Sequence, residues 1–455
     1  MGKGTAKINK QGKSDKQRWL IIANAFNMDG RAVSQTISDK IPHLLKLGIE
    51  PIVLSTFTGK KDERIEHHQI FPPTPVGLRF DLRHFLRQRL RNRFLYRLLS
   101  GLLSLLILPF YLLEKAFIRQ ESQWSWFISA YLAGIRIIKK RRPIVIYSTG
   151  GPNAAHFAAY MLTRSYELPW IAEIHDPMVT YSQLPTTQRE RFAYWLEERI
   201  CKHADVVWWF TEEALSRARM RHPELGDRGH CLIPGVEPPP AYPIPYHQGK
   251  ELTISHFGSL SKTRNLTIFL AALKKAIDRD PGRRNVFRLH IYGAELDTLS
   301  AETVKEFPYR EAIIVHGRIE YNAATNESGR EQVLRLMSQS DCLLLLHGND
   351  DYCEEYIPSK VYEYFFAKRP ILALVWHNRQ LEHMVRAMGH WALPSDDVDA
   401  ISGALDELYS RWLRNDLPSS ETASPYTAEA AVRTLYEWVC QAMNRRETLQ
   451  QCMPK

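Results

Sequence analysis

Short, largely apolar runs recur along this 455-residue chain, and each closes on a polar or glycine-bearing loop before a stretch with helical spacing. The first is Trp19 to Ala23. After it come the loop Asn24 to Arg31, a helix predicted over Ala32 to Leu47, a stop at Gly48 and a second run, Pro51 to Leu54. Strands covered on both faces read as continuous apolar runs, and their alternation with helices is the pattern of βαβ units in a parallel sheet. The pattern returns at Ile144 to Tyr147, Trp170 to Ile174, Ala204 to Phe210, Leu252 to Phe257, Arg288 to Gly293, Ala312 to Gly317, Cys342 to Leu346 and Ile371 to Val375. The length suits two or three domains at about 100–200 residues each. No repeat of about 20–50 residues is present.

Open parallel sheets bind ligands in the loops that leave the carboxyl ends of their strands. In the first half those loops carry Gly30 and Arg31, then Gly150, Gly151 and Asn153, then His175 and Asp176. His175 is the residue there that can move a proton near neutral pH, and Asp176 beside it can hold an acceptor hydroxyl; a structural role for the histidine is the alternative. In the second half, Gly258 is followed by Lys262, Arg264 and a helix beginning near Leu266, an arrangement suited to phosphate. Asp350-Asp351 and Asp397/Asp399 do not form a metal site. The first pair is adjacent, and Asp397 is placed to cap the helix predicted over Ala400 to Tyr409.

The stretch from Glu354 to Val375 is the most specific. Pro358 suits a first helical position, Val361, Tyr364 and Phe365 follow at helical spacing, and Pro370 ends the helix before a buried strand. Ile357 offers no side-chain cap, so free amides at this helix start are expected to attract an anion. Ser359 and Glu363 share a face. A carboxylate at Glu363 can accept both hydroxyls of a ribose, and Lys360 can add charge toward the phosphates, so the stretch reads as a seat for a nucleoside diphosphate.

Glu355 and Glu363, with Pro358 between them and a proline-initiated strand after, resemble the Glu-x7-Glu motif of GT-B glycosyltransferases, especially the retaining group called family 4. The resemblance covers roughly residues 18–445. It implies an α/β fold of two Rossmann-like domains facing across a cleft, with a C-terminal helix crossing back. It implies that Glu355 contacts the donor sugar, that Glu363 holds the ribose, and that His175 lies near the acceptor. Gly293 and Gly317 match strand ends near the nucleotide. Relatives usually show Gly-Arg and a later Lys where this chain has Gly258-Ser259 and Arg264, so Arg264, supported by Lys262, is expected to hold the pyrophosphate. His175, Glu355 and Arg264 are thus the expected catalytic residues, with no cofactor and no metal. The matching boundaries are a disordered basic tail at 1–17, an acceptor-side domain at 18–237, a proline-rich linker at 238–250, a nucleotide-sugar domain at 251–425 and a crossover helix at 426–447.

Within 79–120 lies a segment of a different kind. Seven arginines from Arg79 to Arg97 alternate with aromatic and aliphatic residues, and Leu98 to Leu113 is almost wholly apolar, with Pro109 inside. A spanning helix needs about 20 apolar residues, so an interfacial or shallowly inserted segment is expected, drawn to anionic lipid at about 1 kcal/mol per basic residue. A core helix with a solvated basic face is the alternative, and nucleic acid is disfavoured because no such motif accompanies the patch. The formal charge of +10 agrees with an anionic partner. Six scattered cysteines form neither a disulfide framework nor a zinc motif, which points to a reducing compartment. The expectation is a cytoplasmic enzyme, peripheral at the inner face of the cell membrane, that moves sugar from a UDP- or GDP-sugar to a saccharide or lipid-linked acceptor in surface polysaccharide synthesis. A GT-B nucleotide-sugar epimerase and a non-catalytic membrane-bound scaffold are the alternatives.

Overall fold

A computed structural model describes residues 17–452 except 29, 91, 180–184, 240–245, 294, 323 and 419–422. The expected tail at 1–17, except Gln17, and residues 240–245 of the expected proline linker lie outside the described residues.

Two parallel sheets organise the chain. The first holds β1 (Gln17–Ala23), β2 (Ile49–Ser55), β3 (Glu66–Gln69), β4 (Val145–Gly150), β5 (Trp170–Ile174), β6 (Val206–Trp209) and β7 (Gly229–Cys231) in the order β3-β2-β1-β4-β5-β6-β7. The second holds β8 (Leu252–Gly258), β9 (Phe287–Gly293), β10 (Ile313–Gly317), β11 (Cys342–Leu346), β12 (Ile371–Val375) and β13 (Trp391–Pro394) in the order β10-β9-β8-β11-β12-β13. Both orders are doubly wound and reverse beside the first strand of their sheet, and a crevice opens there at the carboxyl ends. The crevices lie between β1 and β4, and between β8 and β11.

Every residue of β5, β11 and β12 is buried, because helices cover both faces. The crossing between domains is double. Val236 N–H donates to Tyr426 O at 3.2 Å, and Ala428 N–H donates to Val236 O at 3.0 Å. Helix Ala428–Cys452 then packs Ala431, Val432, Leu435 and Val439 against Trp19, Val145 and Trp208 of the first sheet, so the C-terminal helix does cross back.

Three local expectations change. The helix read over Ala32 to Leu47 is two, Ala32–Ser38 and Ile41–Lys46, because Asp39 and Lys40 close the first and Pro42 opens the second. The helix expected to start at Pro358 spans only Lys360–Tyr364. In the basic apolar segment, Pro109 does not interrupt anything: helix Arg93–Phe117 runs 25 residues through it. Asn92 caps that helix by accepting from Phe94 and Leu95 N–H. Helix Pro75–Arg89 precedes it, and the two form a hairpin. Glu114 closes the hairpin base, accepting from Val76 N–H at 2.9 Å, Thr74 Oγ1 at 2.7 Å and Trp124 Nε1 at 2.7 Å.

Candidate active site

The site begins where β8 and β9 end. Gly258 and Gly293 have φ of +153° and +151°, and a Cβ on Gly293 would lie 2.0 Å from the Gly258 carbonyl oxygen. Only glycine permits this approach. The loop after Gly258 then folds back on itself: Arg264 N–H donates to Ser261 Oγ at 3.2 Å, and Arg264 Nη2 donates to Ser259 Oγ at 3.2 Å. The Arg264 guanidinium is thereby held at a cavity of about 330 Å3, with its Nε buried and without a hydrogen-bond partner among the described residues.

That cavity lies between the domains. From the second come Gly258, Arg264, Pro358, Ser359, Lys360 and Glu363; from the first come Gly30, Arg31 and Gln35. A neighbouring cavity of about 350 Å3 shares Gly30, Arg31, Gly258 and Lys360 and adds Gly293, Tyr292, Arg318 and Arg330. The aromatic rings of Phe257, Tyr292 and His316 stack in series behind it, with centroids 4.7 and 4.2 Å apart.

Glu363 is buried and ion-paired. It accepts from Gln35 Nε2 of the first domain at 2.9 Å, pairs with Lys360, and lies 3.5 Å from Arg330 Nε. Burial works against its charge, but the two cations and Gln35 outweigh it and hold the carboxyl below its ordinary range. Lys360 is therefore engaged with Glu363. In the short helix the Val361 N–H donates to Pro358 O and the Tyr362 N–H to Ser359 O, so those two amides are taken. The cation left facing the cavity from this side is Arg264.

His256 went unread in the sequence because it sits inside an apolar strand. It is buried, lines the same cavity, and its Nδ1 lies 3.0 Å from Leu344 O. Burial lowers its pKa to about 4. A neutral ring donating from Nδ1 keeps a lone pair on Nε2, which has no partner among the described residues.

The other predicted residues lie elsewhere. Lys262 is exposed and Gly317 lines neither cavity. Glu355 is buried against Arg217 of the first domain, whose Nη1 donates to it at 2.7 Å, and Thr211 Oγ1 donates to its carbonyl. Burial lifts its carboxyl to about 7, against the pull of Arg217. His175 is buried at the end of β5, 2.9 Å from Thr149 Oγ1. It stands above a buried group in which Lys40 Nζ meets Glu173 at 2.5 Å and Tyr147 and Thr149 donate to the same carboxylate. Burial opposes the charge on Glu173, and Lys40 and His175 hold it ionised. Asp176 faces Gly151, whose Cβ position would lie 3.7 Å from its Oδ2. Burial lifts the pKa of Glu121, against the pull of the first amides of the helix that Asn153 opens. Gly150, Gly151, Asn153, His175 and Asp176 thus form a group separate from the cavity of Arg264 and Glu363. Among the described residues, no three His, Cys, Asp or Glu side chains are grouped to hold a metal ion.

No family model and no curated protein sequence matches this chain. Solved structures do. Sucrose-phosphate synthase from Thermosynechococcus elongatus superposes with a TM-score of 0.58 at 13% identity, over 96% of this chain and 98% of that one. Anabaena HepE in complex with UDP gives 0.52 at 11%, over 96% and 100%. The lipopolysaccharide outer core galactosyltransferase WaaB gives 0.53 at 11%, over 93% and 99%. A Listeria monocytogenes protein assigned as a UDP-N-acetylglucosamine 2-epimerase gives 0.52 at 12%, over 94% and 97%. At these identities the likeness defines a fold. The chain has the GT-B fold, with two doubly wound domains, an interdomain cleft and a returning C-terminal helix.

Proposed function

We propose that the protein is a glycosyltransferase of the retaining, family 4 kind, taking a hexose from a UDP- or GDP-sugar to a hydroxyl of a saccharide or lipid-linked acceptor in surface polysaccharide synthesis. The observation that carries this reading is the cavity between the domains, where Arg264 and Glu363 of one domain meet Gly30, Arg31 and Gln35 of the other. A nucleotide sugar seated there would place its diphosphate at Arg264 and its ribose at Glu363. The HepE complex with UDP and the galactosyltransferase WaaB, both of this fold, support a nucleotide-sugar donor.

Negative charge develops on the departing diphosphate, and a guanidinium fixed beside it in a partly closed cavity stabilises that charge without a metal. His256 Nε2 would accept a hydrogen bond from the sugar or from water in the same cavity. His175 and Asp176 are assigned to the acceptor side, and Glu355 to the donor sugar, with Arg217 as the residue that must release Glu355 before it reaches that sugar. The hairpin of Pro75–Arg89 and Arg93–Phe117 would hold the protein at the inner face of the membrane. None of the most apolar 18-residue stretch of the second helix is buried, and its Phe94, Leu105, Leu106 and Phe110 are 62–71% exposed. At 1.5 Å per residue that helix is about 37 Å long, enough for deeper insertion than its sequence suggests.

Incubating the protein with radiolabelled UDP- and GDP-sugars and a membrane extract tests the reading. Label moving to the extract supports it. A changed sugar epimer without any acceptor would establish the epimerase instead, and intact donor after long incubation would leave a scaffold.

A further inference from the structure

Next to the donor cavity, and sharing Gly30, Arg31 and Gln35 with it, lies a wider cleft of about 880 Å3. Seven Lys and Arg side chains line it against four carboxylates. Each carboxylate already has a cation: Asp62 has Arg64 at 2.7 Å, Glu320 has Arg87 at 2.8 Å, Asp39 has Arg330 at 3.1 Å, and Glu63 has Lys61 at 3.6 Å. Arg31 and Lys60 have no ion-pair partner among the described residues.

The positive groups converge from both domains. The Arg318 guanidinium of the second domain reaches to 3.0 Å from the Cβ position of Gly30 in the first. His84 stands in the same wall, and after burial it is the charges of Arg31, Arg83, Arg87 and Arg318 that hold its ring below the ordinary histidine range. Like charges gathered in a cleft repel one another and focus a positive potential on whatever enters it, so an anion completes the arrangement. The donor diphosphate has its own guanidinium, Arg264, in the other cavity, and Lys60, His84 and Arg87 do not line that cavity.

We propose that this cleft seats a phosphate or diphosphate group carried by the acceptor, an inference that rests on the transferase reading. Its position points to a lipid as the carrier. Helix Pro75–Arg89 supplies His84, Arg87 and Gln88 to the cleft, and four residues after Arg89 begins the helix that exposes its leucines to solvent. A diphosphate in the cleft thus sits by the end of the hairpin opposite Glu114, where helix Pro75–Arg89 finishes and the apolar helix begins, with its chain able to follow the exposed face and its sugar beside the donor. Arginines in a fork geometry suit this group better than point charges alone.

The test is calorimetric titration of the full chain, saturated with UDP, by farnesyl diphosphate, farnesol and glucose 1-phosphate in neutral detergent. Farnesyl diphosphate is expected to bind at least tenfold more tightly than either comparator. Lys60→Glu with His84→Ala is expected to weaken it tenfold or more while leaving UDP affinity within twofold, and that retained UDP affinity also certifies a folded variant. Lys60→Ala alone, with raised salt, gives the same direction if the pair does not fold. Equal affinity for farnesol and farnesyl diphosphate, or no loss in the variants, overturns the anion seat. Equal affinity for glucose 1-phosphate overturns the lipid carrier. Failure of the wild type to bind UDP is a separate result that sinks the transferase reading, and farnesyl diphosphate binding is then read without nucleotide.

Discussion

Gly293 is the residue where backbone geometry leaves least choice. Its φ of +151° and the 2.0 Å approach to the Gly258 carbonyl leave no volume for a methyl group. Gly293→Ala must therefore push β9 away from β8 at the mouth of the cavity, at a cost of about 2–4 kcal/mol. Thermal denaturation and nucleotide titration check this, and both stability and affinity should fall. Glu355 supplies a pH signature. Its carboxyl titrates near 7 in the folded protein against 4.5 ordinarily, so the folded state keeps a proton that the unfolded chain has released. Stability contributed at low pH is then lost as pH rises from about 5 to about 8, on the order of 2 kcal/mol. Glu355→Gln keeps the neutral form, so its melting temperature should match the wild type near pH 5 and exceed it at pH 8. Parallel curves for the two proteins would contradict the burial argument. Residues of this kind divide by legibility. Arg264 and Glu363 stand at loop and helix positions where polar chemistry is readable, whereas Gln35, Arg330 and His256 acquire meaning only when distant segments meet.

At the scale of elements, burial on both faces makes a strand visible. β11 and β12 are apolar runs throughout, β1, β4 and β5 are apolar over most or half of their length, and the apolar stretch of each is a buried strand segment in the structure. β3, with the sequence Glu-His-His-Gln, is an edge strand held by its backbone pairing to β2, and no side-chain pattern announces it. The helix expected from Pro358 is cut short because Tyr364 and Phe365 already face the core and the chain must turn toward β12. Pro109 stays inside a helix because it lies exposed on the hairpin, where no packing opposes its ring and water can reach the carbonyl left without its hydrogen bond. The hairpin also makes its own prediction. Leu102, Leu105 and Leu106 are 51%, 66% and 71% exposed, so replacing all three with Glu removes no protein contact of consequence. Binding to anionic vesicles, measured by flotation, should fall at least tenfold, since each inserted leucine is worth about 1.5–3 kcal/mol. The melting temperature should stay nearly unchanged. A large drop would mean that the face packs on the protein.

For the molecule as a whole, the two domains are joined at several points that carry site chemistry. Gln35 reaches Glu363, Asp39 meets Arg330, and Arg217 meets Glu355. The polypeptide crosses twice at one place, where Gly235, with φ +63°, lies against Thr427. The cavity is complete only because both domains contribute to it. The most direct measurement is a thermal titration of the full chain with UDP, GDP, ADP and dTDP, repeated with Arg264→Ala and Glu363→Ala. One nucleotide should stabilise the wild type, by about 2.7 kcal/mol at a hundredfold excess over its dissociation constant, and neither variant should respond. If no nucleotide shifts the wild type, or if the variants respond as it does, the cavity between the domains is not a nucleotide-sugar site.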